Sequence, residues 1–198
     1  MTKFYLIRHA SYDGLEQILA GRQPGLHLSA AGRREVEALA QWLAPVHFAA
    51  IHTSPLERTV ETAKILGRNF NLEALVAEEL LEIDYGEWTA ALFENLERNE
   101  TWRRFNAFRS SVRVPGGESM MEVQARVVTK LVQLAEIYED QTIGVVTHGD
   151  LIRAATAHFA GIHLDLMLRL RIDPCSFSVL KVNKFGPEII SMNNRAEI

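Results

Sequence analysis
Apolar positions along the chain follow two periods. Short runs bounded by turn formers, "KFYLIR" (3–8), "FAAIHT" (48–53), "TIGVVT" (142–147), "SFSVLKV" (176–182) and "EIISM" (188–192), are rich in β-branched and aromatic residues and read as strands. Between the first three, apolar positions recur at helical spacing. "LSAAGRREVEALAQWL" aligns Val36, Leu39 and Leu43 on one face, and "SMMEVQARVVTKLVQLAEIY" aligns Val123, Val127, Leu131, Leu134 and Tyr138. Strands alternating with amphipathic helices predict an α/β fold, a three-layer α/β/α sandwich whose central sheet is mostly parallel and covered on both faces.

Two helix starts carry capping signatures. "SPLE" predicts Ser54 as N-cap, Pro55 as the first helical residue and Glu57 as the third; "SMME" repeats the capping box with Ser119 and Glu122. Gly67 and Gly161 stand where helix C-termini favour a residue free to take positive φ. Residues 90–115 interrupt the alternation and predict a small helical cap near the sheet's functional edge. Trp102, Phe105 and Phe108 would shape an apolar wall there or pack the helix on the core. Arg98, Arg103, Arg104, Arg109 and Arg113 would meet a second anionic group or form the helix's wet face. With no internal repeat, low-complexity tract or linker, residues 1–198 read as a single domain with 90–115 inserted in it.

Composition narrows the functional classes. A chain of 198 residues, 47% hydrophobic, can bury one full core. A net charge of −4 gives no general attraction to nucleic acid or acidic membranes, so any affinity for anions must come from a local cluster. The single cysteine, Cys175, rules out an internal disulfide, suits a reducing compartment and reads as a small buried side chain. The first apolar run is too short for a signal peptide, and no run is long enough to span a bilayer, so a cytoplasmic protein is expected.

The chemistry gathers at strand ends, where open α/β sheets bind ligands. The first strand ends in Arg8 and His9. The second runs into a helix whose first turns carry Arg58, and the third ends in His148 and Gly149 at the start of another helix. Two guanidiniums and two imidazoles beside two helix N-termini describe an oxyanion site, and phosphate suits it because arginine pairs its donors with phosphate oxygens. The other histidines, His27, His47, His52, His158 and His163, read as surface or hydrogen-bonded core. His9 and His148 have no carboxylate or cysteine at metal-ligand spacing, and the first strand lacks a glycine-rich turn, so neither a metal nor a nucleotide cofactor is expected.

Five segments in order, "LIRHA" (6–10), "TSPLERTVETAKIL" (53–66), "LLEIDYGEW" (80–88), "VPGGESMMEVQARV" (114–127) and "VVTHGDLIRA" (145–154), resemble motifs of the histidine phosphatase superfamily, the phosphoglycerate-mutase-like proteins. The resemblance implies that His9 is a nucleophile that becomes phosphohistidine. It also implies that Arg8, Arg58 and His148, with Gly149, hold the phosphoryl group, and that Glu82 donates the proton. The residues by themselves leave Glu82, Asp84 and Glu87 equal as donors. Physical chemistry asks that His9 be neutral with one ring nitrogen free, and the like charge of Arg8 and Arg58 favours that state.

The implied activity is that of a metal-independent phosphomonoesterase acting on a small phosphorylated metabolite. A phosphoglycerate-type mutase and a non-catalytic phosphate-ester binding protein are the alternatives, and a homodimer is compatible with the sequence. Ala10, Thr89 and Ala90 stand where family members carry Gly, Glu and Gly, and Leu15 falls where the mutases place a substrate-contacting Asn.

Overall fold
The computed structural model describes residues 1–196. Its first strand, β1 (Thr2–Arg8), uses the two-residue alternation to send Phe4 and Leu6 to one face of the sheet and Tyr5 and Ile7 to the other. The remaining elements, in chain order, are α1 (Ala30–Trp42), β2 (Ala50–Thr53), α2 (Glu57–Phe70), β3 (Ala74–Val76), α3 (Phe93–Leu96), α4 (Glu100–Ala107), α5 (Met120–Ile137), β4 (Thr142–Thr147), α6 (Gly149–Phe159), β5 (Phe177–Asn183) and β6 (Gly186–Asn194).

The strands form one sheet in the order β3-β2-β4-β1-β5-β6. β3, β2, β4 and β1 pair in parallel, and β5 and β6 join antiparallel beyond β1. Val36, Leu39 and Leu43, just past the end of α1, pack with α2 residues Ala63 and Leu66 against Tyr5, Ile7, Ile51 and Val146. On the opposite face, Val123, Val127, Leu131 and Leu134 of α5 and Leu151 and Ile152 of α6 cover Phe4, Leu6, Ile143 and Val145. These are the three layers, helices on both faces of a mostly parallel sheet. No helix among the described residues is long and apolar enough to cross a membrane.

Register sets where the chemistry falls. Arg8 pairs with Thr147 and Thr53 with Val146, so β1, β2 and β4 end side by side. Just beyond, the His9 amide donates to the Thr147 carbonyl at 3.0 Å and the Ser54 amide to that of Val146 at 3.0 Å. Parallel pairing thereby delivers His9, Ser54 and His148 to one edge.

Several local expectations are corrected. The Ser119–Glu122 capping box forms with both reciprocal bonds, but "SPLE" does not cap a helix. α2 starts later, at Glu57. Its N-cap is Leu56, whose carbonyl accepts from the Thr59 and Val60 amides, while the Ser54 hydroxyl turns to His148. Gly161 follows α6 with φ of 67°, as a C-terminal glycine should. Gly67 instead lies inside α2, and the left-handed residue is Asn71, at φ 53°. Gly67 is needed for another reason: a Cβ there would lie 2.4 Å from the Leu72 carbonyl oxygen. The short edge strand β3 has no counterpart in the sequence reading.

The 90–115 segment folds as α3, α4 and connecting turns. Phe105 is fully buried and Trp102 partly so, meeting Trp88 and Tyr85 edge to face or tilted, whereas Phe108 is 56% exposed. Arg98, Arg103, Arg104 and Arg113 are exposed and Arg109 is buried.

Candidate functional site
The strand ends open into a cleft of about 250 Å³ lined by Arg8, His9, Arg58, Glu82, Gly149 and Asp150 among others. His9 is buried, and its Nδ1 lies 2.9 Å from the Ala10 carbonyl oxygen. A carbonyl only accepts, so Nδ1 carries the proton and Nε2 keeps its lone pair. Burial first, then the charges of Arg58 and Arg8, hold the His9 pKa well below the usual histidine value, so the ring is neutral at neutral pH. The methyl of Ala10 packs into the apolar cluster under α1 and α2, away from the cleft, and the Ala10 amide is held by the Thr62 hydroxyl at 3.2 Å.

The two arginines are fixed by one arm each and leave donors free. Arg8 Nη1 donates to the Ile172 carbonyl at 2.7 Å and Arg58 Nη2 to the Gly21 carbonyl at 2.7 Å. Arg8 Nε and Arg58 Nε and Nη1 are buried without a partner among the described residues. An unpaired buried donor costs about 1–3 kcal/mol, more when charged, so three together form a preorganised demand for an anion. Gly149 keeps this seat open: a Cβ there would lie 3.3 Å from Arg8 Nε and 3.0 Å from Arg153 Nη1. It also begins α6, whose free N-terminal amides add positive potential to the same edge.

His148 is fully buried, with its ring 5.3 Å from that of His9. Its Nε2 lies 2.9 Å from Ser54 Oγ, and its Nδ1 lies 3.4 Å from Arg58 Nη2 and 3.8 Å from Glu82 Oε2. A guanidinium only donates, so Nδ1 accepts here and Nε2–H points to Ser54. The serine hydroxyl can reverse that bond, which would free Nδ1 to donate toward the cleft.

Of the three carboxylates left equal by the sequence, Glu82 is the one that comes within 3.8 Å of His148. Asp84 instead accepts from the Gly86 amide at 2.9 Å, and Glu87 is exposed. Burial, and then the neighbouring charge of Asp150, raises the Glu82 pKa to about 7. Its loop is held by Glu118, which accepts from the Asp84 amide and from Arg22 and Arg126, while the carbonyl of Glu82 accepts from the same two arginines.

Behind this group sits a second buried cluster that the sequence reading did not single out. Asp150 accepts from Tyr85 Oη at 2.7 Å, Arg109 Nη1 at 2.6 Å and Arg153 Nη1 at 3.1 Å. Ser54 was read only as a helix cap. A serine one residue past a strand end, level with His9 and His148, was the available signal for its other role.

A family model described as the histidine phosphatase superfamily, branch 1, matches residues 4–195. The chain belongs to that superfamily. Among its members, Phosphoserine phosphatase 1 of Hydrogenobacter thermophilus is 32% identical over 198 residues, covering 98% of this chain and 92% of the relative. The Salmonella choleraesuis protein named "Probable phosphoglycerate mutase GpmB" is 28% identical, covering 90% and 84%. In fold, this histidine phosphatase superfamily chain superimposes with a TM-score of 0.88 on an Entamoeba histolytica phosphoserine phosphatase in complex with phosphoserine, at 23% identity with 98% of each chain covered.

Proposed function
We propose that the protein is a phosphomonoesterase that hydrolyses a small soluble phosphate ester through a phosphohistidine on His9. The observation that carries this reading is the set of unpartnered guanidinium donors on Arg8 and Arg58 beside an imidazole whose Nδ1 is tied to the Ala10 carbonyl. In the first step the Nε2 lone pair of His9 attacks phosphorus as the ester P–O bond breaks. The carboxylic acid of Glu82 gives its proton to the departing oxygen, releasing the alcohol. In the second step the Glu82 carboxylate takes a proton from water, whose oxygen attacks phosphorus. The P–N bond breaks, phosphate leaves, and His9 and the protonated Glu82 are restored. Arg8, Arg58 and His148 stabilise the charge spread over the equatorial oxygens in both steps. A cytoplasmic location belongs to this reading, since the lone buried Cys175 fits a reducing compartment.

The test is phosphate release from a panel of phosphate monoesters in the presence of a chelator. Turnover in wild type, an acid-labile phosphoryl group trapped on the protein, and loss of both in His9→Ala are the expected results. Phosphate release retained in His9→Ala would show that His9 is not the nucleophile. The relative named as a phosphoglycerate mutase favours a second reading, in which the phosphoryl group passes to another hydroxyl. Interconversion of 2- and 3-phosphoglycerate faster than phosphate release would establish it. Binding of esters without turnover would identify a binding protein.

A further inference from the structure
We propose that the cleft selects phosphate monoesters whose alcohol carries an apolar group and no second charge, a specificity that rests on the phosphomonoesterase reading above. Five half-buried or exposed apolar side chains from three segments line the same cleft as the phosphate seat, beside the buried Leu19 and Ala20. Leu15 and Ile18 come from the loop after β1, Phe93 and Trp102 from α3 and α4, and Leu168 from the 3₁₀ turn Leu164–Arg169. Leu15, Ile18, Phe93 and Trp102 are half-buried, and Leu168 is 43% exposed. Single apolar residues at a surface are ordinary, but five converging on one concavity form a binding wall.

Most of the charged donors bordering that wall already hold protein partners. Beyond Arg8 and Arg58, the cations lining the cleft among the described residues are Arg109 and Arg153. Arg109 commits Nη1 to Asp150 and Nη2 to Asn106, its Nε is buried without a partner among the described residues, and its guanidinium lies 4.5 Å from the centre of the Phe105 ring. Arg153 commits Nε to the Leu170 carbonyl and Nη1 to Asp150. A substrate carboxylate would have to compete with Asp150, Asn106 and the Leu170 carbonyl for the committed nitrogens of these forks, and a substrate ammonium would have to displace them from Asp150. An apolar alcohol needs neither rearrangement, and it dries the wall on binding.

Benzyl phosphate, O-phosphoserine, 3-phosphoglycerate and glycerol 1-phosphate test this directly. Benzyl phosphate and phosphoserine are both primary alkyl esters, so leaving-group acidity does not favour the aromatic one. The expected kcat/KM for benzyl phosphate exceeds each of the other three by at least tenfold; a smaller margin over any of them overturns the proposal. Leu168→Ser and Leu15→Ser each narrow the margin at least threefold, and a margin unchanged in both also overturns it. If no ester is hydrolysed, the phosphomonoesterase reading fails and binding decides the specificity. Calorimetry on the His9→Ala protein should then give a dissociation constant at least tenfold lower for benzyl phosphate than for phosphoserine, and equal or reversed affinities reject the apolar site.

Discussion
Glu82, half-buried, and Asp150, buried, are two carboxyl groups in one cleft with opposite tendencies. Asp150 takes hydrogen bonds from Tyr85, Arg109 and Arg153, and the charges of Arg109 and Arg153 hold its pKa below the usual carboxylate range against the effect of burial. Glu82 accepts from the Ile83 amide, and burial together with the charge of Asp150 raises it to about 7. A carboxyl group that donates a proton in the first step must be protonated, so phosphoryl transfer should slow as pH rises through about 7. We expect Glu82→Gln to lower kcat/KM by roughly a hundredfold or more, within the range of general acid catalysis, and to abolish the limb near pH 7. A pH–rate profile that keeps that limb in the variant would assign it to another group. The edge positions of Arg8, His9 and His148 were legible because strand ends are set by local pattern. The bonds Ser54–His148, Tyr85–Asp150 and Arg109–Asp150 were not, because their partners lie at least 41 residues apart and meet only after the sheet and cap assemble.

At the scale of elements, the turn after Trp88 carries a local strain. Ala90 adopts φ of 65° at an exposed position and donates its amide to the Leu19 carbonyl at 2.8 Å. An L side chain in the left-handed region costs about 1–2 kcal/mol, and a glycine there removes that cost while adding about 0.4–1 kcal/mol of unfolded-state entropy. Ala90→Gly should therefore stabilise the protein by about 0.5–1 kcal/mol, seen as a higher urea midpoint with an unchanged m-value. A lower midpoint would mean that the methyl makes compensating contacts. The same scale shows what pattern can and cannot specify. The long periodic runs of α1 and α5 and the strands β1 and β4 emerged with boundaries close to the sequence reading. The start of α2 did not, because the buried ring of His148 takes the Ser54 hydroxyl that the local motif would assign to the backbone. Nor did β3, whose three partly or fully exposed residues carry no alternation to read.

The whole molecule encloses its ionisable groups at the sheet edge, and this couples folding to pH. Alternation of strands and helices made the layers and the parallel core readable, whereas the placement of β5 and β6 beyond β1 depends on pairings that no local period encodes. That closed arrangement keeps His9 and His148 neutral, each with a pKa well below the usual histidine value of about 6.5 through burial and the nearby arginines. A depressed folded-state pKa contributes stability above the unfolded value and loses it as pH falls, so both imidazoles make acid destabilising below about 6.5. Glu82 works the other way. Its folded pKa of about 7 lies above the reference 4.5, so its contribution is complete below 4.5 and declines as pH rises toward 7. Between about pH 5 and 6.5 His9 and His148, joined by His52, whose pKa burial also lowers, outweigh the one carboxyl, so stability should fall on acidification. Urea unfolding at pH 6.5, 5.75 and 5 measures that slope. Glu82→Gln removes the opposing carboxyl and should steepen it; a flat slope would mean that the buried ring nitrogens take up protons within the fold, and a slope unchanged in the variant would mean that the Glu82 pKa is not raised.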